Sequence, residues 1–326
     1  MQIGELTFRN VLNKAIEINN MDINFFDYSS TYTYDPFSML YMISAIREKI
    51  KSNQGKDFEI RYPKDSQNVS YAGHMGFFKS FSFDAFGKRP GEAMGGRNYL
   101  PVTLIDVQND FSYNDDIGIQ IEKKSFALSR VLTQDDNLSK IYTYLIREML
   151  RNSIEHSRDK KVWICAQYWP TYNLAEIGIL DNGIGVRNSL ESNQFFKAMI
   201  HNDEEALKLS LLPGITEEYG KRQKPYEEWQ NSGYGLYVAS ELCTRLGGTF
   251  MIVSGDKALF KSKDKSELIN TIHNGTAIRI TLKPQGLPKY ENVIKDIVED
   301  GEKLAKTIKN TVKKASKSSG GLLINE

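Results

Sequence analysis

Three short segments in the second half of the chain constrain its fold most strongly. Segment 148–156, Glu-Met-Leu-Arg-Asn-Ser-Ile-Glu-His, lies in a helical pattern, and segment 181–186, Asp-Asn-Gly-Ile-Gly-Val, follows a strand-like run. Segment 231–236, Asn-Ser-Gly-Tyr-Gly-Leu, precedes a second helical run. A helix, a strand ending in a glycine turn and a glycine turn opening a helix, in this order, indicate a polar site on an α/β scaffold.

The first segment belongs to a predicted helix over residues 137–157, with Asn137 as its N-cap. One face of this helix is apolar at the helical period, through Leu138, Ile141, Leu145 and Met149. Asn152 falls inside that stripe and Glu148 lies at its edge. Burying an unpaired amide costs about 2–7 kcal/mol, so we expect a polar ligand to face Asn152.

The second and third segments supply the backbone features of a ligand site. Gly183 and Gly185 would allow a close approach of the backbone that a Cβ would obstruct, although Asp-Asn-Gly is also a common turn sequence. Gly233 and Gly235 precede a predicted helix over 236–246, whose N-terminal N–H groups could bind an anion. The chain lacks the Gly-x-x-x-x-Gly-Lys-Ser/Thr sequence, which disfavours a P-loop enzyme.

Together the three segments resemble the adenine-nucleotide site of the GHKL superfamily, which includes DNA gyrase, MutL, histidine kinases and anti-sigma-factor kinases. The resemblance implies an α/β two-layer sandwich of the Bergerat type that binds ATP and Mg²⁺. It implies that Asn152 holds the hydrated Mg²⁺, that Asp181 accepts a hydrogen bond from the adenine amino group, and that Glu148 is the general base. The remaining nucleotide contacts would come from Gly183, Gly185, Ser232, Gly233, Tyr234, Gly235, Leu236 and Thr276.

Further features of this region fit the resemblance. The stretch between Gly185 and Gly233 contains Pro213-Gly214 and a charged run over 217–228, and would form a lid over the nucleotide. His156 lies one turn after Asn152, where it could lie near phosphate or be a structural histidine. Strands are predicted at 162–169, 174–180, 249–254 and 276–282, and also at 100–107 and 117–122.

We predict three parts of the chain: an N-terminal α/β regulatory domain (1–125), the ATP-binding domain (126–288) and a lysine-rich helical or disordered tail (289–326). Residues 20–85 resemble a STAS domain in their strand, turn and helix. The STAS phosphorylation turn Asp-Ser-Ser-Gly is replaced here by Asp35-Pro36-Phe37-Ser38, which argues against a phosphorylation switch. A small α/β domain of other kinship is an equal alternative.

Composition narrows the setting. The formal net charge of +1 gives no global field toward nucleic acid or membrane, so a nucleic-acid contact is considered for the lysine-rich tail alone. The alternative for that tail is a solvated surface. No run of about 18 apolar residues and no signal sequence is found, which predicts a cytoplasmic protein without a membrane segment. Cys165 and Cys243 lie in apolar runs and are predicted to be buried free thiols.

Three functions are consistent with these patterns. The first is a slow Mg²⁺-dependent ATPase that binds ATP or ADP and acts on a protein partner as a nucleotide-controlled regulatory switch. The second is a serine/threonine protein kinase of the anti-sigma-factor type, since the Glu-x-x-x-Asn spacing is typical of gyrase-like ATPases and anti-sigma-factor kinases. The third is a non-catalytic nucleotide-binding module. Histidine autophosphorylation is disfavoured because His74 alone precedes the site, in an apolar setting.

Overall fold

The computed structural model describes residues 1–63, 66–81, 85–112, 116–220 and 232–316, except for the side chain of His156. The described helices are α1 (Phe8–Asn20), α2 (Pro36–Ser52), α3 (Gln67–His74), α4 (Val107–Asp110), α5 (Ile117–Leu132), α6 (Asp136–His156), α7 (Gly185–Glu191), α8 (Gln194–Lys197), α9 (Asp203–Ser210), α10 (Gly235–Arg245) and α11 (Tyr290–Thr307). The described strands are β1 (Phe25–Asp27), β2 (Glu59–Arg61), β3 (Tyr99–Asp106), β4 (Lys161–Trp169), β5 (Leu174–Asp181), β6 (Thr249–Ser262) and β7 (Ser266–Leu282).

A five-stranded sheet in the order β3-β4-β5-β7-β6 organises the molecule. All of its neighbouring strands are antiparallel, and the register places Asp181, the last residue of β5, opposite Thr276 of β7. With its helical layers, this sheet confirms the predicted mixed α/β fold class. The last strand pair is longer than predicted, because β6 and β7 continue together as a two-stranded ribbon beyond β5.

The two faces of the sheet carry separate cores. Alternation along β4 sends Val162 and Ile164 to the front face, where they pack in one core with residues of α5, α6, α10 and α11. Trp163 and Cys165 point to the back face, where they pack with residues of α1 and α2. Both cysteines are buried and free, as predicted.

The N-terminal region supplies the back layer. Helix α2 contacts β4, β5 and β7, while α1 contacts α2 and β7. Strands β1 and β2 form a separate parallel pair of three residues each. The predicted domain boundary after residue 125 falls inside α5, and β3 belongs to the central sheet. The three-part division and the STAS resemblance stay predictions.

Two local predictions were wrong. Residues 117–122, predicted as a strand, begin α5, because Ile121, Leu128 and Leu132 form a buried helical stripe that the short alternating window hid. The N-cap of α6 is Asp135, whose carboxylate accepts a hydrogen bond from the Leu138 N–H at 2.7 Å. The predicted cap, Asn137, instead accepts from the N–H of Tyr290, at the start of α11, at 2.7 Å.

The C-terminal segment, defined here as residues 308–316, packs against the domain. The Val312 N–H donates to the Gly214 carbonyl at 2.8 Å, and the Tyr234 hydroxyl donates to the Val312 carbonyl at 3.1 Å. The Lys313 ammonium donates to the carbonyls of Ala305 at 2.7 Å and of Ile308 at 2.5 Å, at the end of α11. Within the described ranges, no helix combines the length and the apolarity that crossing a membrane requires.

Candidate nucleotide site

A cavity of about 90 Å³ lies between α6, the end of β5, the turn before α10 and the helices that follow β5. The predicted site residues that line it are Asn152, Asp181, Gly185, Gly233, Gly235, Leu236 and Thr276. Residues from distant parts of the sequence therefore meet in one place. Small-molecule sites usually measure about 300–1,000 Å³. The structure is therefore a closed form, and a nucleotide would fit after the covering segment, the predicted lid between Gly185 and Gly233, moves.

Asp181 forms the polar floor of the cavity at the end of β5. Its side chain is buried, and Oδ1 accepts hydrogen bonds from the N–H groups of Gly183 at 3.0 Å and Thr276 at 3.3 Å. Its Oδ2 is buried and has no hydrogen-bond partner among the described residues. Burial raises the pKa of the Asp181 carboxyl to about 6, against the opposing effect of the Gly183 N–H, the nearby Ser153 hydroxyl and the Thr276 N–H. This oxygen is suited to accept a hydrogen bond from a ligand.

Asn152 reaches the same cavity from α6, and the apolar stripe that positions it is buried as predicted. Its Nδ2 is buried and, like Asp181 Oδ2, lacks a partner within the described ranges. Those ranges contain no cluster of three His, Cys, Asp or Glu side chains that could hold a metal ion. A lone amide oxygen fits a Mg²⁺ ion that keeps its waters and is carried by phosphate oxygens.

Glu148 lies one turn before Asn152 but does not line the cavity. Its Oε1 accepts from the Nε and Nη2 atoms of Arg147, at 3.1 and 2.9 Å. Arg147 is fully buried and its Nη1 also donates to Glu122, at 3.1 Å. Burial acts to lower the pKa of the Arg147 guanidinium, but the carboxylates of Glu148 and Glu122 outweigh it and the pKa is raised. In the closed form this ion pair holds the Glu148 carboxylate against Arg147, outside the cavity.

The glycines of the second segment have different roles. Gly185 lines the cavity with φ +75°, a conformation that favours glycine, and a Cβ there would lie 2.6 Å from the Ser254 hydroxyl. Gly183 does not line the cavity. A Cβ on Gly183 would lie 2.1 Å from the Ser157 carbonyl oxygen at the end of α6. Packing of the turn against the end of α6 therefore requires glycine at position 183, and the predicted nucleotide contact of Gly183 stays a prediction.

The glycine turn before α10 is held from two sides. Gly233 has φ +70°, and a Cβ there would lie 2.3 Å from the Ile215 carbonyl oxygen. Gly235 opens α10, and a Cβ on it would lie 2.3 Å from Glu148 Oε2. Gly235 thus separates Glu148 from the cavity. The turn places the N-terminus of α10 at the cavity wall, the position predicted for binding an anion.

Two further residues of the third segment point away from the cavity. The Tyr234 side chain is buried and bonds to the C-terminal segment. Ser232 is buried, and its hydroxyl donates to the Ser316 hydroxyl at 3.3 Å. Neither lines the cavity, so these predicted contacts lie behind the glycines rather than facing the site. Asn231, the first residue of the segment, lies outside the described residues, as does the side chain of His156.

The predicted lid is partly described, and its residues 221–231 lie outside the described ranges. In the described part, α7, α8 and α9 follow Gly185, and Val186, Ser189 and Glu217 line the cavity. The Ser189 hydroxyl donates to Glu217 Oε2 at 2.6 Å, and the Asn193 amide donates to the Glu217 carbonyl oxygen at 2.8 Å. These contacts join the start of the covering segment to Glu217, near the end of its described part.

Sequence reasoning missed several residues at the site. Arg147 precedes Glu148, but no local pattern shows that adjacent side chains on a helix will pair. His273 lies beneath Asp181, with its Nε2 at 3.0 Å from the Asp181 carbonyl oxygen, and burial lowers the pKa of its imidazole to about 4. Its position three residues before Thr276 in the sequence was the signal that could have placed His273 near the site.

Comparison with known proteins supports the geometry. Residues 138–286 match the family model described as histidine kinase-, DNA gyrase B- and HSP90-like ATPase. No curated protein and no solved structure matches the chain. The matched segment contains α6, the strands β4 to β7, the glycine turn and all the described residues that line the cavity. Residues 138–286 are therefore similar to the ATP-binding domains of the GHKL superfamily, and this match supports ATP binding by the chain.

Proposed function

We propose that this protein is a regulatory switch in which Mg-ATP binds the cavity, opens and reorders the segment over it, and is slowly hydrolysed to ADP. One observation carries the proposal: Asp181 Oδ2 and Asn152 Nδ2 are buried and unpartnered among the described residues, at one cavity inside the segment that matches the ATPase family model. Both groups would gain partners on nucleotide binding. Asp181 Oδ2 would accept from the adenine amino group, and Asn152 Nδ2 would donate to a nucleotide oxygen, while the amide oxygen of the same side chain would hold Mg²⁺.

The regulatory part rests on how the cavity is closed. A 90 Å³ cavity requires the covering segment to move before a nucleotide enters. That segment includes Gly214, whose carbonyl bonds to Val312 and whose N–H donates to the Gly233 carbonyl at 3.1 Å. Nucleotide binding would therefore shift both the glycine turn and the C-terminal segment. A surface that changes with the bound nucleotide is what a protein partner could recognise.

The proposed slow hydrolysis rests on Glu148. A carboxylate near the γ-phosphate could orient and deprotonate the attacking water. Its ion pair with Arg147 would have to loosen in the ATP-bound form, because Arg147 engages Glu148 Oε1 through two hydrogen bonds and Glu148 does not line the cavity. The same pair favours the second candidate, a nucleotide-binding module without catalysis, in which Arg147 holds Glu148 permanently.

The test compares binding and turnover in one set of variants. ATP with Mg²⁺ should raise the melting temperature of the wild type, since a ligand at 100 times its Kd adds about 2.7 kcal/mol of stability. Glu148→Gln should keep this shift and lose about 100-fold or more of the hydrolysis rate. Asn152→Ala should lose the Mg²⁺-dependent part of the shift.

Each alternative has its own signature. Equal phosphate release by Glu148→Gln and wild type, at a rate no higher than without protein, would favour the non-catalytic module. Transfer of the labelled γ-phosphate from ATP to a co-purifying protein would favour the kinase. Absence of any melting shift by ATP up to millimolar concentration would contradict the proposal as a whole.

A further inference from the structure

A second concave site lies on the back face of the sheet, beside the N-terminus of α2. It is a cleft of about 440 Å³, within the usual 300–1,000 Å³ of small-molecule sites. Exposed Tyr32 and Tyr172 are at its edge. The central sheet separates it from the nucleotide cavity, because Glu176 in the cleft and Asp181 in the cavity point to opposite faces of β5. Its walls and floor comprise Tyr34, Asp35, Tyr71, Trp169, Glu176 and Arg279.

The floor of the cleft carries a surplus negative charge. Glu176 accepts from Arg279 Nη2 at 2.5 Å and from the Phe37 N–H, in the first turn of α2, at 3.1 Å. Glu176 thereby takes the capping role, and Asp35, which occupies the N-cap position, makes no side-chain capping bond. Among the described residues, the Asp35 carboxylate has no hydrogen bond or ion pair. Two carboxylates thus share one guanidinium.

Two other polar groups of the cleft lack partners within the described ranges. They are the Tyr34 hydroxyl and Arg279 Nε, on residues that are 5% and 8% exposed. Both can donate a hydrogen bond. Buried donors without acceptors are unusual in a folded protein, and they indicate that an acceptor is supplied from outside.

We propose that this cleft binds a small organic ammonium ion that carries a hydroxyl or carbonyl oxygen. Trp169, Tyr71 and Tyr34 bring aromatic rings to the cleft, and a cation over the face of such a ring gains about 0.5–2 kcal/mol. The Asp35 carboxylate provides the counter-charge, and the oxygen of the ligand accepts from Tyr34 or Arg279. The proposed ligand binds on the opposite face of the sheet from the nucleotide cavity, so its binding does not require ATP.

The ionisation of Asp35 gives the binding a pH dependence. Burial, followed by the neighbouring Glu176 carboxylate, raises the pKa of the Asp35 carboxyl to about 7, while Arg279 opposes the rise and Glu5 adds to it. Tyr71 faces the same carboxylates and stays protonated, because burial raises the pKa of its phenol well above the usual range. Affinity for the ammonium ion therefore rises as the pH passes 7 and Asp35 loses its proton.

Three probes separate charge from shape in isothermal titration at pH 8. Choline has the ammonium and the hydroxyl, tetramethylammonium has the charge alone, and 3,3-dimethyl-1-butanol has the shape and the hydroxyl without charge. Choline should bind about tenfold or more tightly than the neutral alcohol and more tightly than tetramethylammonium. Nα-acetyl-lysine methylamide is a fourth probe, and tighter binding of it than of choline would assign the cation to a peptide side chain.

Two variants test the residues. Asp35→Asn should weaken choline about tenfold at pH 8 and abolish the pH dependence, with the neutral alcohol unaffected. The matched control is Asp296→Asn, the same change at an exposed aspartate of α11, which should leave all affinities unchanged. Trp169→Leu should weaken both cations even if Asp35→Asn does not fold. Equal affinity for choline and the neutral alcohol in the wild type, or full choline binding by folded Asp35→Asn, would overturn the proposal.

Discussion

Two carboxylates on β5, Glu176 and Asp181, are equally buried, each 1% exposed, yet their surroundings differ. They are five residues apart, so they project from opposite faces of the sheet. On the back face, Glu176 pairs with Arg279 and caps α2. On the front face, Asp181 accepts two backbone N–H bonds on one oxygen, and its other oxygen has no partner in the described part of the chain.

The difference distinguishes buried carboxylates whose protein partners stabilise the fold from buried carboxylates that lack a partner until a ligand binds. A buried carboxylate with a guanidinium and a helix N–H joins three elements and contributes to a defined packing of α2 on the sheet. A buried carboxylate with a free oxygen costs stability until a donor arrives. By this criterion Asp35, beside Glu176, resembles Asp181 more than it resembles its neighbour, and this is the basis for assigning a ligand to the back-face cleft.

The largest expected effect comes from breaking the satisfied site. Glu176→Ala should lower the free energy of unfolding by about 3–5 kcal/mol, because it removes the hydrogen-bonded partner of the buried Arg279 guanidinium and leaves the Phe37 N–H without an acceptor. Urea denaturation measures this. Glu176→Gln, which keeps an acceptor of the same shape, is the matched control and should cost less. A loss below 1 kcal/mol for the alanine variant would contradict the structural role given to Glu176.

The reciprocal change removes the charge of the unsatisfied site. Asp181→Asn should raise the stability of the nucleotide-free protein at pH 8 by up to about 3 kcal/mol, the free energy that corresponds to a carboxyl pKa raised from 3.8 to about 6. The same variant should weaken ATP binding about 10- to 100-fold, as expected for loss of a hydrogen bond to a charged acceptor. Unfolding and ATP titration, run on one preparation, would measure both. A variant that is less stable and still binds ATP normally would show that Asp181 stabilises the fold, as Glu176 does, and does not bind the nucleotide.

The pH dependence of unfolding sharpens the same point. The folded state raises the pKa of Asp181, so its stabilising contribution is complete below pH 3.8 and is lost as the pH rises through about 6. The lowered pKa of His273, about 4, acts oppositely and adds stability as the pH rises toward 6.5. The informative quantity is therefore the difference in unfolding free energy between wild type and Asp181→Asn. It should fall by up to about 3 kcal/mol between pH 4 and pH 6, and a constant difference would contradict the raised pKa.

The sequence was sufficient for those parts that depend on local pattern. The apolar stripe of α6, the alternation in β4 and β5 and the aspartate at the end of β5 follow from periodicity and burial. The error at 117–122 arose because three alternating apolar residues fit a strand as well as the first turn of α5, and the distinguishing residues, Leu128 and Leu132, lie further along.

Other features depend on contacts between distant residues. Asn137 is a residue type that often caps helices, but Asp135, two residues earlier, caps α6, and Asn137 accepts from the first N–H of α11, which lies about 150 residues later in the chain. The motif predicts a nucleotide contact for Gly183, but the motif does not show that the carbonyl of Ser157 leaves no room for a Cβ at this position. Likewise, the pairing of Glu176 with Arg279 requires the register of β5 and β7, which no single segment contains.

The smallest expected effect concerns the front face, where the C-terminal segment supplies a partner from outside the matched domain. Tyr234→Phe removes the donor to the Val312 carbonyl and should cost about 1 kcal/mol in unfolding. In the proposed switch, this bond couples the glycine turn to residues 308–316, so hydrogen exchange in that segment should respond less to ATP in the variant. Tyr237→Phe, at another buried tyrosine of α10, is the matched control for loss of a phenol hydroxyl. An unchanged exchange response in Tyr234→Phe would show that the C-terminal segment is held independently of the nucleotide and carries no signal from it.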